Sequence, residues 1–425
     1  MRWREALTLL AATLIASVAS GVLYVAIEWV GYASTGTSLG YGLTLVFEML
    51  PYVVTSVVAG WIVDRLGARR AALLGLLLAS GVSAASQWML SLGTTGAWAA
   101  AVVASQPLDL WGYGLEASLP EVSGGVSPAL QRLVSRISLA DSVGSGLGYS
   151  LGGRLLEVPG HYRAAALLSA LLFLASGALF AWLGAGSKEP VDGGGREEGR
   201  REEDSGLRPL LTPEIAPLVA YGIVGNLLFG LGRALWAPIL SDLGPGAYGD
   251  LFLSMSVASA VAYVAMEGVD TSRRTGALIT TTFGLQGVTT LLFPLFPNPY
   301  VIGALFGALG AALWVSWRSY LLAHLPEGSR GRGLAVVDSV LSVTLTAGIA
   351  AGGWLGDSIG VAETALASGL LLAAFSAAAS LSRIGRLGWA SAGRGSSRRP
   401  SGGQEPAVHG DHGPIDVAGQ VAGEE

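Results

Sequence analysis

Gly60-Trp61-Ile62-Val63-Asp64-Arg65-Leu66-Gly67-Ala68-Arg69-Arg70 lies between two long apolar stretches, roughly 40–63 and 71–92. Each approaches the ~20 residues a helix needs to cross a bilayer, so the quoted segment reads as a tight loop joining two spans. Gly60 permits close approach of a neighbouring helix, and Gly67 permits a tight turn. Asp64 carries the charge to cap the N-terminus of another helix. Arg65, Arg69 and Arg70 can pair with Glu116 or Glu121 at the end of a later span; the plainer reading is that they only set topology.

The rest of the chain has the same character. Hydrophobic residues make up 51% of the 425 and charged residues 13%. A soluble domain carries about 25% charge, so most of this surface has lipid as its solvent. The 62 glycines let helix backbones approach closely where packing replaces the hydrophobic drive between helices. With no cysteine, disulfides, thiolate nucleophiles and iron–sulfur sites are excluded. The net charge of −5 is spread over loops and tail and gives no footprint for nucleic acid.

Twelve apolar spans follow in order: 6–30, 40–63, 71–92, 97–119, 137–156, 162–183, 215–240, 247–266, 276–296, 300–325, 333–355 and 361–381. The first is longer than a signal-peptide core and reads as a retained helix. The expected organisation is an all-α membrane protein with an N-terminal six-helix bundle (1–184), a linker (185–212), a C-terminal six-helix bundle (213–385) and a disordered tail (386–425). Nearly all arginines, with Lys188, fall in the termini and alternate loops. Basic residues mark the cytoplasmic side, which places both termini and the linker on the cytoplasmic side of a plasma membrane. His409 and His412 sit in the tail without further metal ligands, and no metal site is expected.

The first half returns about 200 residues later. Trp111-Gly-Tyr-Gly-Leu-Glu-Ala-Ser-Leu-Pro-Glu121 matches Trp317-Arg-Ser-Tyr-Leu-Leu-Ala-His-Leu-Pro-Glu327. Gly148, Gly152 and Gly153 recur as Gly348, Gly352 and Gly353, and Arg69-Arg70 as Arg273-Arg274. Two related six-helix halves with a site between them near the midplane are a transporter architecture. The quoted loop resembles the signature loop of the major facilitator superfamily: Gly, three residues, Asp-Arg, one residue, Gly, then a basic cluster. That resemblance implies twelve helices in two pseudo-symmetric bundles, with Asp64 engaging the span that begins near Gly333 as a latch between the halves. Gly144, Gly148, Gly152 and Gly153 on the fifth span resemble a motif of proton-coupled exporters in this superfamily. Tyr149 stands where Pro usually follows the middle Gly, and a small-residue packing face is the alternative.

Ionisable residues inside a membrane are costly and mark function. Here they are Glu28, Glu48, Asp109, Asp141, Arg233, Arg318 and Asp338, none of them on spans 3, 6, 9 or 12. By the resemblance those four are peripheral, so the charged spans line the cavity. Asp109, near the midplane, is a candidate protonatable coupling or substrate residue; the alternative is a structural ion pair with Arg318. Glu48, on a polar stripe with Tyr41, Thr44 and Thr55, is a second candidate. Glu28 and Arg233, at the outer ends of symmetry-related spans, form an expected gate pair. Asp141 and Asp338 are expected to cap helix N-termini. Tyr24, Trp111, Tyr113, Trp236, Trp314 and Trp317 are candidate cavity aromatics, although such residues also collect at membrane interfaces.

The sequence therefore predicts a monomeric secondary transporter in a lipid bilayer that exports a small amphipathic molecule against protons. No cofactor is expected and the proton gradient supplies the drive. Uptake or uniport of a sugar or other solute is the alternative within transport, and a transport-inactive sensor or scaffold the alternative outside it. No nucleophile–base grouping or phosphate loop points to an enzyme.

Overall fold

The computed structural model describes residues 3–123, 128–158, 160–184, 212–213, 215–266, 269, 274–325 and 330–387. The first half holds α1 (Trp3–Ala33), α2 (Ser38–Met49), α3 (Tyr52–Leu66), α4 (Ala68–Met89), α5 (Thr94–Ser123), α6 (Pro128–Leu156) and α7 (Tyr162–Gly184). The second holds α8 (Ala216–Arg233), the short α9 (Trp236–Leu240), α10 (Gly244–Met266), α11 (Thr275–Leu292), α12 (Pro299–His324), α13 (Arg330–Ile359) and α14 (Val361–Leu381). Among the described residues, seven segments are long and apolar enough to cross a membrane, one of them running from Ala216 to Met266. Helices also occupy the other stretches expected to span.

Two expected spans are interrupted. The stretch 40–63 is divided into α2 and α3 at Leu50-Pro51, because proline has no N–H and its ring crowds the preceding turn. Leu50 and Pro51 keep right-handed helical dihedrals, so this is a kink and not a loop. The stretch 215–240 breaks after Arg233 and restarts at Trp236. The turn from α3 to α4 is made by Gly67 at φ +82°, a left-handed conformation that glycine adopts without strain.

The expectation that Asp141 and Asp338 cap helix N-termini is overturned. α6 begins at Pro128 and α13 at Arg330, so both acids lie more than a turn inside their helices. Neither can reach free N–H groups there. Ser17 instead donates to Asp141 at 2.5 Å, and Arg318 to Asp338 at 2.8 Å.

The repeated glycines explain how the halves meet. A Cβ on Gly144 would lie 2.6 Å from the Leu14 carbonyl oxygen of α1, and Gly148 and Gly152 press on Val18 and Val22 of the same helix. Gly153 faces the other way, onto Pro245 and Gly249 of α10. The second half repeats this arrangement. Gly348 and Gly352 pack on Leu227 and Leu231 of α8, whereas a Cβ on Gly353 would lie 2.8 Å from the Ser38 carbonyl oxygen of α2. Thus α6 and α13 each sit between the first helix of their own half and a helix of the other. The two seams, α6–α10 and α13–α2, join the halves.

Polar contacts reinforce both seams. Asp250 accepts hydrogen bonds from Ser150 (2.8 Å), Arg154 (3.0 Å) and Tyr300 (2.6 Å). Asp357, near the end of α13, accepts from the Ser38 (2.7 Å) and Leu39 (3.0 Å) backbone N–H groups and so caps the N-terminus of α2. At the opposite, arginine-rich end the α6–α10 seam parts. A space of about 550 Å³ opens between Val134–Leu139 of α6 and Ala260–Met266 of α10.

Candidate functional site

Where the seams converge, five polar side chains from both halves form a buried knot. Arg233, the last residue of α8, approaches Glu28 of α1 at 3.5 Å, with Glu28 only 1% exposed. The Tyr248 hydroxyl of α10 donates to Glu28 Oε2, the Tyr149 hydroxyl of α6 to Oε1 at 3.3 Å, and Arg233 donates to the Tyr41 hydroxyl. Tyr41 and Tyr248 share a 2.6 Å hydrogen bond. The guanidinium also lies 4.3 Å from the Trp236 ring centre, and Tyr149 stacks on Phe252 at 4.1 Å. Val25, Tyr41, Leu45, Trp236, Phe252 and Ile349 seal the surroundings in one apolar cluster drawn from both halves.

Beneath this knot, toward the arginine-rich end, lies a cavity of about 420 Å³, within the ~300–1,000 Å³ range of small-molecule sites. Phe229, Trp236, Phe252, Phe283 and Phe306 supply aromatic walls, and Asn226, Gln286, Arg233 and Glu48 the polar positions. Glu48 Oε2 is buried there with no hydrogen-bond partner. Asn226, Phe283, Gly310, Leu313 and Leu345 also line an adjoining space of about 290 Å³ bounded by Trp314, Trp317 and Asp338. Trp314 borders the seam opening in turn, so the lined path runs from the knot to the arginine-rich end.

The remaining predicted residues separate into groups. Asp109 does not pair with Arg318: it accepts from Thr55 Oγ at 2.9 Å, while Arg318 is held by Asp338 on the adjacent helix. Trp314, beneath the Arg318 guanidinium at 5.1 Å, and Trp317 are cavity residues. Trp111 is instead largely core, edge-to-face on Phe180 at 5.2 Å. Tyr113 packs with Ala59, Val63 and Leu110, and Tyr24 with Val22, Leu23 and Ala97, so both belong to packing clusters of the first half. In the signature loop, Arg65 lies 3.9 Å over Trp61, and Arg69 pairs with Glu5 at 3.8 Å, not with Glu116. The side chains of Asp64 and Glu121, and the surroundings of Gly60, lie outside the described residues, and so does the latch expected of Asp64.

Sequence reading missed the hydroxyl of Tyr248, the amides of Asn226 and Gln286, and the phenylalanines. A search for charges passes over uncharged polar groups. In a chain this apolar, phenylalanine at a cavity looks like phenylalanine facing lipid. Only the helical spacing of Asn226 and Arg233, two turns apart on α8, marked a shared face.

Comparison with known proteins agrees with this architecture. Residues 9–299 match the family model of the Major Facilitator Superfamily. The multidrug efflux pump Tap of Mycolicibacterium fortuitum is 24% identical over 383 residues, covering 86% of this chain and 92% of that protein. With a helical repeat, a cavity between its halves and a family match over most of its length, the chain belongs to the Major Facilitator Superfamily of membrane transporters.

Proposed function

We propose that this transporter exports small amphipathic compounds in exchange for protons, working by alternating access. The observation that carries the reading is the unpartnered Glu48 oxygen in an aromatic cavity. A buried carboxylate oxygen without a donor is costly unless a proton or ligand satisfies it during the cycle. Five aromatic walls suit an apolar body, while Glu48, Asn226 and Gln286 suit a polar end. Asp109, with Thr55 as its hydrogen-bond donor, is the second proton-handling candidate. The likeness to an efflux pump supports the outward direction.

With the arginine-rich end in the cytoplasm of a plasma-membrane protein, Glu28 and Arg233 lie toward the outside. The conformation is then sealed outward and open inward, ready to load. Rocking of the two halves about the site exchanges these conditions.

The test is flux in proteoliposomes containing the full chain. An imposed pH gradient is expected to drive uphill movement of amphipathic dyes, and Glu48→Gln and Asp109→Asn are expected to abolish the uphill component. Flux indifferent to the gradient refutes proton exchange and leaves uniport; absence of flux for every amphipathic probe refutes the substrate class.

A further inference from the structure

A second polar cleft lies inside the first half and shares Ser138 with the opening between α6 and α10. It measures about 270 Å³ and is bounded by α1, α5 and α6. Thr13, Ser17 and Ser20 project into it from one face of α1, Ser138 and Asp141 from α6, and Glu116 from α5. Spacings of three and four residues put each set on a single helix face.

Thr13 is the unusual member. Threonines elsewhere in these helices return their hydroxyl to a carbonyl of the preceding turn, as Thr44, Thr282 and Thr346 do. Thr13 Oγ is buried, with no hydrogen-bond partner, in a residue only 2% exposed. Burial of an unpaired hydroxyl is unfavourable, so an oxygen held this way on a residue that lines the same cleft as Asp141 is placed to serve as a ligand. Ser17, one turn along α1 and 4% exposed, already directs its hydroxyl to Asp141 at 2.5 Å.

We infer that this cleft binds a monovalent alkali cation, with sodium as the ion to test. The oxygen set is carboxylate and hydroxyl, the hard ligands that alkali and alkaline-earth ions prefer. Charge selects between those classes. Among the described residues, Asp141 takes its side-chain hydrogen bond from the neutral Ser17. The set of Asp141, Ser17 and Thr13 carries one carboxylate charge, which matches a monovalent ion. Among the described residues, no three His, Cys, Asp or Glu side chains gather as a transition-metal site would require. A cation held by Asp141 and the lone pairs of Ser17 and Thr13 replaces the O–H···O contact and gives Thr13 Oγ a partner. It would also tie α1 to α6, the helix that forms one of the two seams.

The experiment is equilibrium binding of ²²Na⁺ to the purified full-length protein in nanodiscs at constant ionic strength, with choline as the replacement cation. Saturable binding is expected, displaced by unlabelled sodium. Thr13→Val, which keeps the shape of the side chain, is expected to weaken affinity roughly 3–10-fold, and Asp141→Asn by more than roughly tenfold. Glu48→Gln is expected to leave binding unchanged. Should Asp141→Asn fail to fold, as read from its elution and melting, Ser17→Ala provides the same comparison. Absence of saturable binding to the wild type overturns the inference; so does full affinity in both Thr13→Val and whichever of the other two variants folds. The assay contains no drug and no pH gradient, so a failure here leaves the exporter reading standing, and a failure of proton-driven export leaves this site standing.

Discussion

Breaking the Glu28–Arg233 knot is expected to unseal that end of the protein, and its distances set the size of the effect. At 3.5 Å, opposite unit charges attract by about 5 kcal/mol at an effective dielectric of ~20 and about 1 kcal/mol in water. The difference, near 4 kcal/mol, is an upper bound, because burying both charges forfeits their hydration. A net 1–3 kcal/mol favouring the sealed state corresponds to roughly a 5–150-fold bias in population. The chain has no cysteine, so a single introduced thiol reports cleanly. Ala237, fully buried in the apolar cluster around the knot, is a suitable site. In an Ala237→Cys background, Glu28→Gln or Arg233→Gln is expected to speed labelling by an impermeant maleimide, added from the knot's side, within that range. The swapped pair Glu28→Arg with Arg233→Glu is expected to restore part of the protection. Labelling rates unchanged in both single variants, or a swap no better protected than either, would refute the knot as a seal.

Two further predictions concern the seams. A side chain at Gly148 would collide with the Val18 carbonyl of α1, and backbone cannot yield as a side-chain tip can, so Gly148→Val is expected to lower the melting temperature sharply or prevent folding, while Gly81→Ala, where a Cβ meets nothing, leaves it unchanged or higher. Asp250→Ala strips the partner from Ser150, Arg154 and Tyr300 at once and is expected to destabilise by ~3 kcal/mol or more, whereas Arg154→Ala, whose side chain is 57% exposed, is expected to cost under about 1 kcal/mol; equal losses in thermal or denaturant unfolding would show that the charge pair, not the buried carboxylate, holds the seam.

What was legible in the sequence was whatever depends on length, period or repetition. Apolar length marked the helices, and the recurrence of Gly148, Gly152 and Gly153 marked two helices with the same job. Glu28 and Arg233 could be matched because they stand near corresponding ends of related spans. Partners set by three-dimensional convergence were not legible. An ion pair of Asp109 with Arg318 is the alternative the sequence leaves open, yet Asp338 on the next helix in the chain takes the guanidinium. The capping roles assigned to Asp141 and Asp338 failed for another reason. Helix ends were placed where the apolar run stops, but α6 continues through Gln131 and Arg132, which are polar and still good helix formers. Tyr41, Tyr149 and Tyr248 come from three helices, and no pattern along the chain predicts that their hydroxyls meet at one carboxylate.

The repeat also indicates how such a structure can move without unfolding its core. Gly152 and Gly153 are neighbours in sequence but point about 100° apart around the helix, so one serves the parent half and the other the opposite half. The contact on the parent side is continued by Gly144 and Gly148 over more than two turns of α1, which makes α6 part of that rigid body. The contact on the opposite side is formed by Gly146, against the Ser256 side chain and Leu253, and by Gly153, against the backbone of Pro245 and Gly249. Where only small residues meet, such a contact can tilt and separate at small cost in dispersion energy, which leaves the choice of state to the polar groups. Those groups differ between the related seams: Asp250 gathers three side-chain donors at one, and Asp357 caps a helix end at the other. Helix geometry common to the two repeats would therefore provide the surface for the proposed rocking, while polar chemistry that differs between the seams sets how firmly each one holds.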